Sequence, residues 1–529
     1  MQLLINKNLF ILHFALFLGS FSLFSQNYDF NNYKYRFQKL RIFEIGTNSF
    51  NTDIRNKNIT IENKADTGIL EKNTENKTDF GISLGLNAYY FQNINTDNLQ
   101  QNINAYVGYS STIQPEFIKN KNNNNAGSKT FNNNNNLNTN INFSILNRYY
   151  KPSNNFTYLN LSTRNHLFAY RNNYNSESSV NSNVFSKNES QTNRTSLNSF
   201  SSIEYGFGKG RLEYVSDPIM ATFLIKDLIE KADIKNVSNE QIENIAKGIT
   251  KIRNTRFLDF RFRLIDQIEM LDEVLKQNGI ETNKTAKYYT TIYDNWLYAT
   301  QKQRFSGNRW TYYLKNETNF RRENEKSNQY NILADTNIYY SKSSNNSFFI
   351  NNGFSVDYET SKQKSLTVQK AKGFNVFIFH QMYDSLRTFE NRFGKNTVNT
   401  YGDTFNSQSL NIRIQGKWAY LYQPNTRTFF EFSLNPGVSS QMFLKDVQNS
   451  IDQTFNKLNN NVFLGVNLEY FRFINARLNF TVWARTFTNF NLSNNEYIYD
   501  NSNKNMAISK QTNLNGNYNI GASINYLIF

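Results

Sequence analysis

Asn461–Phe471 reads NVFLGVNLEYF. Val462, Leu464, Val466, Leu468 and Tyr470 share one parity, and Gly465, Asn467 and Glu469 fall on the other. Asn475–Phe487, NARLNFTVWARTF, repeats the pattern. Ala476, Leu478, Phe480, Val482 and Ala484 alternate there with Arg477, Asn479, Thr481 and Arg485. A period of two is the signature of a β-strand, and this strand has one oily face and one wet face.

The same rhythm runs through the chain at hairpin spacing. Gly81–Phe91, Asn102–Tyr109, Asn138–Asn147, Thr157–Ala169 and Leu197–Phe207 alternate, and an earlier strand is expected within Tyr33–Ile54. After an interruption, Trp310–Phe320, Ile332–Tyr340, Phe348–Tyr358, Asn411–Leu421, Phe429–Asn435 and Tyr518–Phe529 alternate again. Roughly twelve to fourteen strands of about ten residues are expected, enough to cross a bilayer at a tilt. Gly373–His380 stays outside this tally and reads as an external extension of one hairpin.

Composition points the same way. Of 529 residues, 16% are aromatic, with 46 Phe and 33 Tyr, yet the mean hydropathy is −0.65. A lipid-facing barrel needs such rings at its two interfaces, while its polar lumen and loops keep the average low. A soluble β-sandwich would also alternate, but with its polar residues outward. Only five prolines occur, as long paired strands require. The expected fold is an all-β, antiparallel outer-membrane barrel with outer-membrane lipid as its surroundings.

The first residues suit export. Lys7 precedes the mostly apolar run Leu9–Phe24, and Ser20, Ser22 and Ser25 are small residues near its end. This pattern predicts a signal peptide over 1–25, cut before Gln26. The chain has no cysteine, which excludes a lipid-anchored lipoprotein, disulfides and thiolate metal sites. The net charge of +16 fits either attraction to anionic headgroups or a general bias toward Lys and Asn. No concentrated basic patch suggests a nucleic-acid partner.

The expected organisation is a signal peptide over 1–25, an N-terminal segment over 26–80, barrel strands over 81–207, a helical insertion over 208–307 and barrel strands over 308–529. Ser111–Leu137, with its runs Asn122–Asn125 and Asn132–Asn136, and Tyr170–Ser196 read as long solvated loops. Arg148–Asn154 and Gln423–Arg427 read as short turns. Short turns belong to the periplasmic end, which puts the insertion there.

The insertion opens at Gly206, Gly208 and Gly210, whose spacing fits no nucleotide-binding loop and suggests a flexible exit from a strand. Ser216-Asp217-Pro218 starts a helix that carries Ile219, Phe223, Leu224 and Leu228 on one stripe. Ser238-Asn-Glu-Gln241 is a capping box for a second, longer helical stretch, with seams at Ile242, Ile245, Ile249 and Ile252 and at Leu258, Phe262, Ile265, Ile268, Leu271 and Leu275. Asn278-Gly279 is its stop. Within it, Arg253, Arg256, Asp259, Arg261 and Arg263 form either an anion or partner contact or a helix surface with local ion pairs.

The Ser-Leu-Phe-Ser-Gln26 ending, the Gly-Lys-Gly-Arg211-Leu-Glu213 segment, the helix start at Asp217 and Arg256-Phe-Leu-Asp259-Phe-Arg261 resemble a group of Bacteroidota-type outer-membrane β-barrel proteins. The resemblance implies barrel strands with an inserted helical segment and carries over no activity. Phe529 is similar to the terminal ring read by barrel-assembly machinery, although it and Leu527 fall on the inward parity.

Candidate chemistry is sparse. Of three histidines, His13 lies in the signal and His166 points inward beside Ser162, without an identifiable acid. No His/Asp/Glu spacing fits a metal site, and no cofactor is implied. Inward-parity charges are more numerous, and include Lys315, Glu317, Asp335 and Asp357. Arg413, Lys417, Glu431, Glu469, Arg477 and Arg485 form either an ion-selective constriction or a salt-bridged wall. The expected role is non-enzymatic. It is small-solute passage, or docking of a periplasmic protein or peptidoglycan through 216–279. The alternative is a membrane-embedded lipid-modifying enzyme that uses His166.

Overall fold

The computed structural model describes residues 28–64, 70–121, 126–180, 183–232, 234, 236–255, 260–280, 285–299, 302–331, 336–393, 397–448, 451–452, 458–474, 478–498 and 506–526. The expected signal peptide, Asn122–Asn125, Arg256, Leu258, Asp259, Asp335, Arg477 and Phe529 lie outside them.

Among the described residues, alternation yields fourteen antiparallel strands in one uninterrupted meander. They are β1 (Phe37–Lys64), β2 (Leu70–Thr96), β3 (Leu99–Lys121), β4 (Ala126–Tyr150), β5 (Asn155–Val180), β6 (Asn183–Tyr214) and β7 (Phe305–Asn331). The series continues with β8 (Thr336–Gln363), β9 (Val368–Phe393), β10 (Thr397–Asn425), β11 (Thr428–Gln448), β12 (Leu458–Phe473), β13 (Leu478–Ile498) and β14 (Met506–Tyr526). A two-residue piece, Ile451–Asp452, pairs with β11 off this path. β1 supplies the early strand expected near Tyr33–Ile54.

Three expectations are corrected here. The strands run 16 to 32 residues, far beyond the expected ten. Much of what reads as loop is ladder: Asn132–Asn136 lies in β4, opposite Thr112–Glu116 of β3 and Tyr170–Tyr174 of β5. Consecutive Asn residues have no alternation, because both faces of this part of the sheet are polar. Gly373–His380 is likewise no extension but the heart of β9, paired on both sides. Phe374 and Ile378 on one face and Phe377 and Phe379 on the other hide its period.

The sheet curls strongly. A cavity of about 460 Å³ is lined from β1 (Gln38), β3 (Gln100), β6 (Leu212), β9 (Lys372) and β11 (Glu431) together. Strands β1 and β11 would stand about 48 Å apart in a flat sheet. A side-chain hydrogen bond also reaches from Gln100 Nε2 on β3 to the Leu212 carbonyl on β6, at 3.0 Å.

Burial on the sheet is inverted. On β6, Ile203, Tyr205 and Phe207 are 54, 61 and 66% exposed, while Ser202 and Glu204 are 5 and 6% exposed. The same holds on β10 for exposed Ile412 against buried Asn411. The concave side holds the polar residues and the convex side the apolar ones.

Between β6 and β7 lie four helices: α1 (Ser216–Ala232), α2 (Asn239–Asn254), α3 (Phe260–Gln277) and α4 (Ala286–Tyr298). The Ser238–Gln241 capping box forms in both directions. The expected long stretch is two helices, because α2 is capped at Thr255. α3 stops as its sequence requires: Gly279 takes φ +76° and the Ile280 N–H donates to the Leu275 carbonyl. α4 went unread, since Tyr288, Thr290, Thr291 and Ile292 favour strands. No described helix is long and apolar enough to cross a membrane.

These helices bury Ile219, Leu224, Leu228, Ile242, Ile245, Ile249 and Leu271 completely, together with Phe30 and Tyr33 from the segment before β1. Each such side chain contributes about 1.5–3 kcal/mol. Asp217, fully buried at the start of α1, accepts from Thr250 Oγ1 (2.5 Å) and Arg253 Nη1 (2.9 Å) of α2, so its charge is paired. The glycines before α1 belong to β6 and not to a flexible exit. A Cβ at Gly208 would run into the Phe156 ring and the Trp310 carbonyl, so close cross-strand packing requires glycine there.

Candidate functional site: the polar wall and its helical cap

Register arranges the inward residues in rows. One row runs Tyr313, Ser355, Phe377, Arg413, Ser439, Asn461 and Asn491 across seven consecutive strands. The neighbouring row runs Lys315, Gly353, Phe379, Asn411, Gln441 and Asn459. Together they border a cavity of about 520 Å³. To one side the wall is densely paired. Lys315 Nζ lies 3.1 Å from Glu204 and 2.8 Å from Glu317. Tyr158 Oη donates to Glu204 (2.5 Å), Asn351 Nδ2 to Glu317 (3.1 Å) and Tyr313 Oη to Asp357 (3.1 Å). Nearer the helices, Arg309 pairs with Glu359. Buried charges survive only with such partners.

The helical unit shares its end of the sheet with the β2–β3, β4–β5, β8–β9, β10–β11 and β12–β13 connections, and it touches strands far apart in the meander. Asn254 of α2 accepts from the Lys39 N–H of β1 (2.8 Å). Asp294 of α4 pairs with Arg427 in the β10–β11 turn (2.6 Å), and Tyr298 packs on Phe473 of β12 with ring centroids 4.5 Å apart. Arg36, just before β1, pairs with Glu213 of β6 (2.5 Å) and Asp97 of the β2–β3 turn (3.2 Å).

The segment between α4 and β7 makes the tightest links. Lys302 Nζ lies 3.0 Å from Glu431 and 3.3 Å from Glu469, and over the Phe429 ring. Glu431 and Glu469 face each other across β11 and β12, a like-charge pair that this one ammonium bridges, offsetting one of the two charges. Arg304 is 1% exposed. Its Nη2 donates to Gln423 (2.7 Å), and its backbone N–H donates to Ser216 Oγ (2.8 Å). Burial lowers the Arg304 guanidinium to about 10, which leaves it charged at neutral pH.

The expected charge wall is therefore built differently. Arg413 faces Ser439 and lines the larger cavity, while Lys417 and Glu431 line the smaller one. Glu431 faces Leu421 on β10, four residues from Lys417 and eight from Arg413. Register thus separates the charges that strand order places side by side. Arg485 is exposed on β13, where its Nε donates to Asn467 (3.2 Å). Arg477 lies outside the described residues.

Of the arginine cluster, the described side chains are those of Arg253 and Arg263. Arg253 is engaged by Asp217 and stacks over Trp296. Arg263 is exposed on α3, the Arg261 side chain is not among those described, and Arg256 and Asp259 lie outside. His166 faces Asn140 and Asn198 across β5. Ser162 is four residues along the strand, about 13 Å away, beyond hydrogen-bond reach.

Sequence reasoning missed Lys302, Arg304 and Arg309. Glu204 was legible, since it has the inward parity between Ile203 and Tyr205. Lys302 and Arg304 lie outside any periodic element, where the sequence carries no orientation signal. Comparison with protein-family models gives no match, and comparison with the curated proteins gives none either.

Proposed function

We propose that this chain is an outer-membrane β-barrel with a non-enzymatic role, the limited passage of small hydrophilic solutes through a lumen capped at one end by its own helices. The observation that carries this reading is the inverted burial. Exposed Ile, Leu and Phe side chains cover the convex side, and Asn, Gln, Ser and paired charges cover the concave side. In water that arrangement is unfavourable by about 25 cal/mol for each Å² of apolar surface left exposed. In a bilayer it is the favoured one. Closure follows from the same physics, because a sheet edge in hydrocarbon leaves backbone groups without partners. The helical unit's contacts with both β1 and β12 support a wall that wraps around it.

Every connection beside the helices is two to four residues long, whereas those at the other end reach nine, which favours the helical end as the periplasmic one. The strand portions with two polar faces then project outside the cell. Lys302 acts as the latch between cap and wall.

Planar-bilayer recording tests this reading. The natural protein should give small or rare conductance steps, and Lys302→Ala should raise the open frequency by freeing the cap from Glu431 and Glu469. Silence of both proteins, correctly folded, would sink passage. The outward surface of the helical unit would then be the place to seek a periplasmic protein or peptidoglycan partner.

A further inference from the structure

We infer that the larger cavity of the inner wall is a binding site for a neutral oligosaccharide. The inference deepens the passage reading and rests on it for a lumen filled with water.

Three features of the wall point to this ligand class. The first is the chemistry of the lining. Nine of its nineteen residues are amides, among them Asn351, Asn411, Gln441 and Asn461, and Ser355, Ser439 and Ser440 add hydroxyls. Each amide offers two donors and an acceptor, which suits a ligand whose hydroxyls both give and take hydrogen bonds. An apolar ligand would strand these groups at a cost.

The second feature is charge balance. Lys315 and Arg413 border the cavity, Glu317 borders it too, and Lys315 is shared between Glu317 and Glu204. The lining holds two cations and one carboxylate, and Glu204 and Asp357 stand directly behind it, so the wall is within one charge of neutral and selects only weakly for an ionic solute.

The third feature is aromatic. Inward rings repeatedly lie flat on the wall because a glycine sits beneath them. A Cβ at Gly353 would meet the Phe377 ring, one at Gly437 the Phe463 ring, and one at Gly521 the Trp483 ring. A flat ring offers the lumen its face, where an upright ring offers only an edge. In the cavity, Phe379 stacks on Phe377 with centroids 4.4 Å apart and planes 17° from parallel. One face of Phe379 is taken, and its other face and edge are what it offers the cavity. A sugar ring has the matching surface, with an apolar C–H face framed by hydroxyls. The volume, about 520 Å³, falls within the range of small-molecule sites.

Packing alone could also explain stacked rings over a glycine, so the test separates ring from bulk. The full chain is solubilised in a zwitterionic detergent without sugar headgroups, and maltotriose and cellotriose are titrated by calorimetry. An acidic trisaccharide serves as the charged comparison. At least one neutral probe should bind, and more tightly than the acidic one. Phe379→Leu keeps apolar bulk but removes the ring, and should weaken binding by about two- to tenfold. Asn411→Ala should weaken it as well, with heat-modifiable electrophoretic mobility reporting that both variants fold. Failure of both neutral probes to bind, or undiminished binding by Phe379→Leu, overturns the inference. If conductance is present while the saccharides fail, passage stands and this site falls. If they bind while the bilayer stays silent, the site stands and passage falls.

Discussion

The same residue type meets opposite fates in two parts of this molecule. Ile242, Ile245 and Ile249 of the helical unit are fully buried, whereas Ile203, Ile520 and Ile524 of the sheet are 54, 81 and 69% exposed. The polar residues follow the opposite rule. Glu240, Glu243 and Lys247 face outward on α2, while Glu204, Asn351 and Ser355 face inward on the strands. On the proposed reading, one chain folds by one principle against two solvents. The helical unit gathers most of its oil into a buried core. The sheet, on that reading, has water on its concave side, so its oil goes out. The difference also explains why the two parts join through charges and amides such as Lys302, Arg304 and Gln423, since the wall offers the cap a polar surface.

The comparison breaks most sharply at Ile249. Ile249→Asp places an unpaired carboxylate among fully buried side chains and should cost about 4 kcal/mol or more, enough to unfold the helical unit. Loss of helical circular dichroism, with strand content retained, would report it. Retained helix signal would mean that this core is wetter than its packing indicates.

A substitution on the other side of the comparison should cost less. Ile203→Arg puts a cation on the convex face, where the bilayer penalty is about 2–4 kcal/mol near the midplane and smaller toward the interfaces. Denaturant titration of protein refolded into liposomes would measure it. A change within about 0.5 kcal/mol is the surface value expected in water, and would remove the membrane from the account of this sheet.

Much of this division was readable before any coordinates. The parities of Val462 and Leu464, of Ile203 and Tyr205, and of Ile520 and Ile524 assign the convex face correctly, and the Ser238 capping box and the Gly279 stop mark helix ends where they occur. The signal failed wherever two faces share one character. Asn132–Asn136 is polar on both sides and reads as loop, while Phe374–Phe379 is apolar on both and reads as an anomaly. The site was less legible than the fold. Parity says which charges face inward, but the pairing of Glu431 with Glu469, and of both with Lys302, depends on register between strands and on a linker residue. The cavity at Phe379 also needs register, since its rows draw on seven strands.

The smallest expected effect sharpens the comparison most. Asn193 and Ile203 lie on the same strand and the same face, ten residues apart, about 33 Å along β6. Arg171 of β5 and Lys326 of β7 sit directly across from Asn193, so cations already occupy the convex face at this level. A carboxylate there gains two cross-strand neighbours of opposite sign, each worth about 0.2–1 kcal/mol before screening. Asn193→Glu should therefore leave liposome stability unchanged or raise it by about 0.5 kcal/mol, with the gain fading at high salt. A loss comparable with that of Ile203→Arg would put hydrocarbon at Asn193 and make the whole length of β6 a membrane wall. Stability at Asn193 beside a loss at Ile203 brackets the outer edge of the bilayer between them, and gives the polar ladders of β4 to β9 the same solvent on both faces.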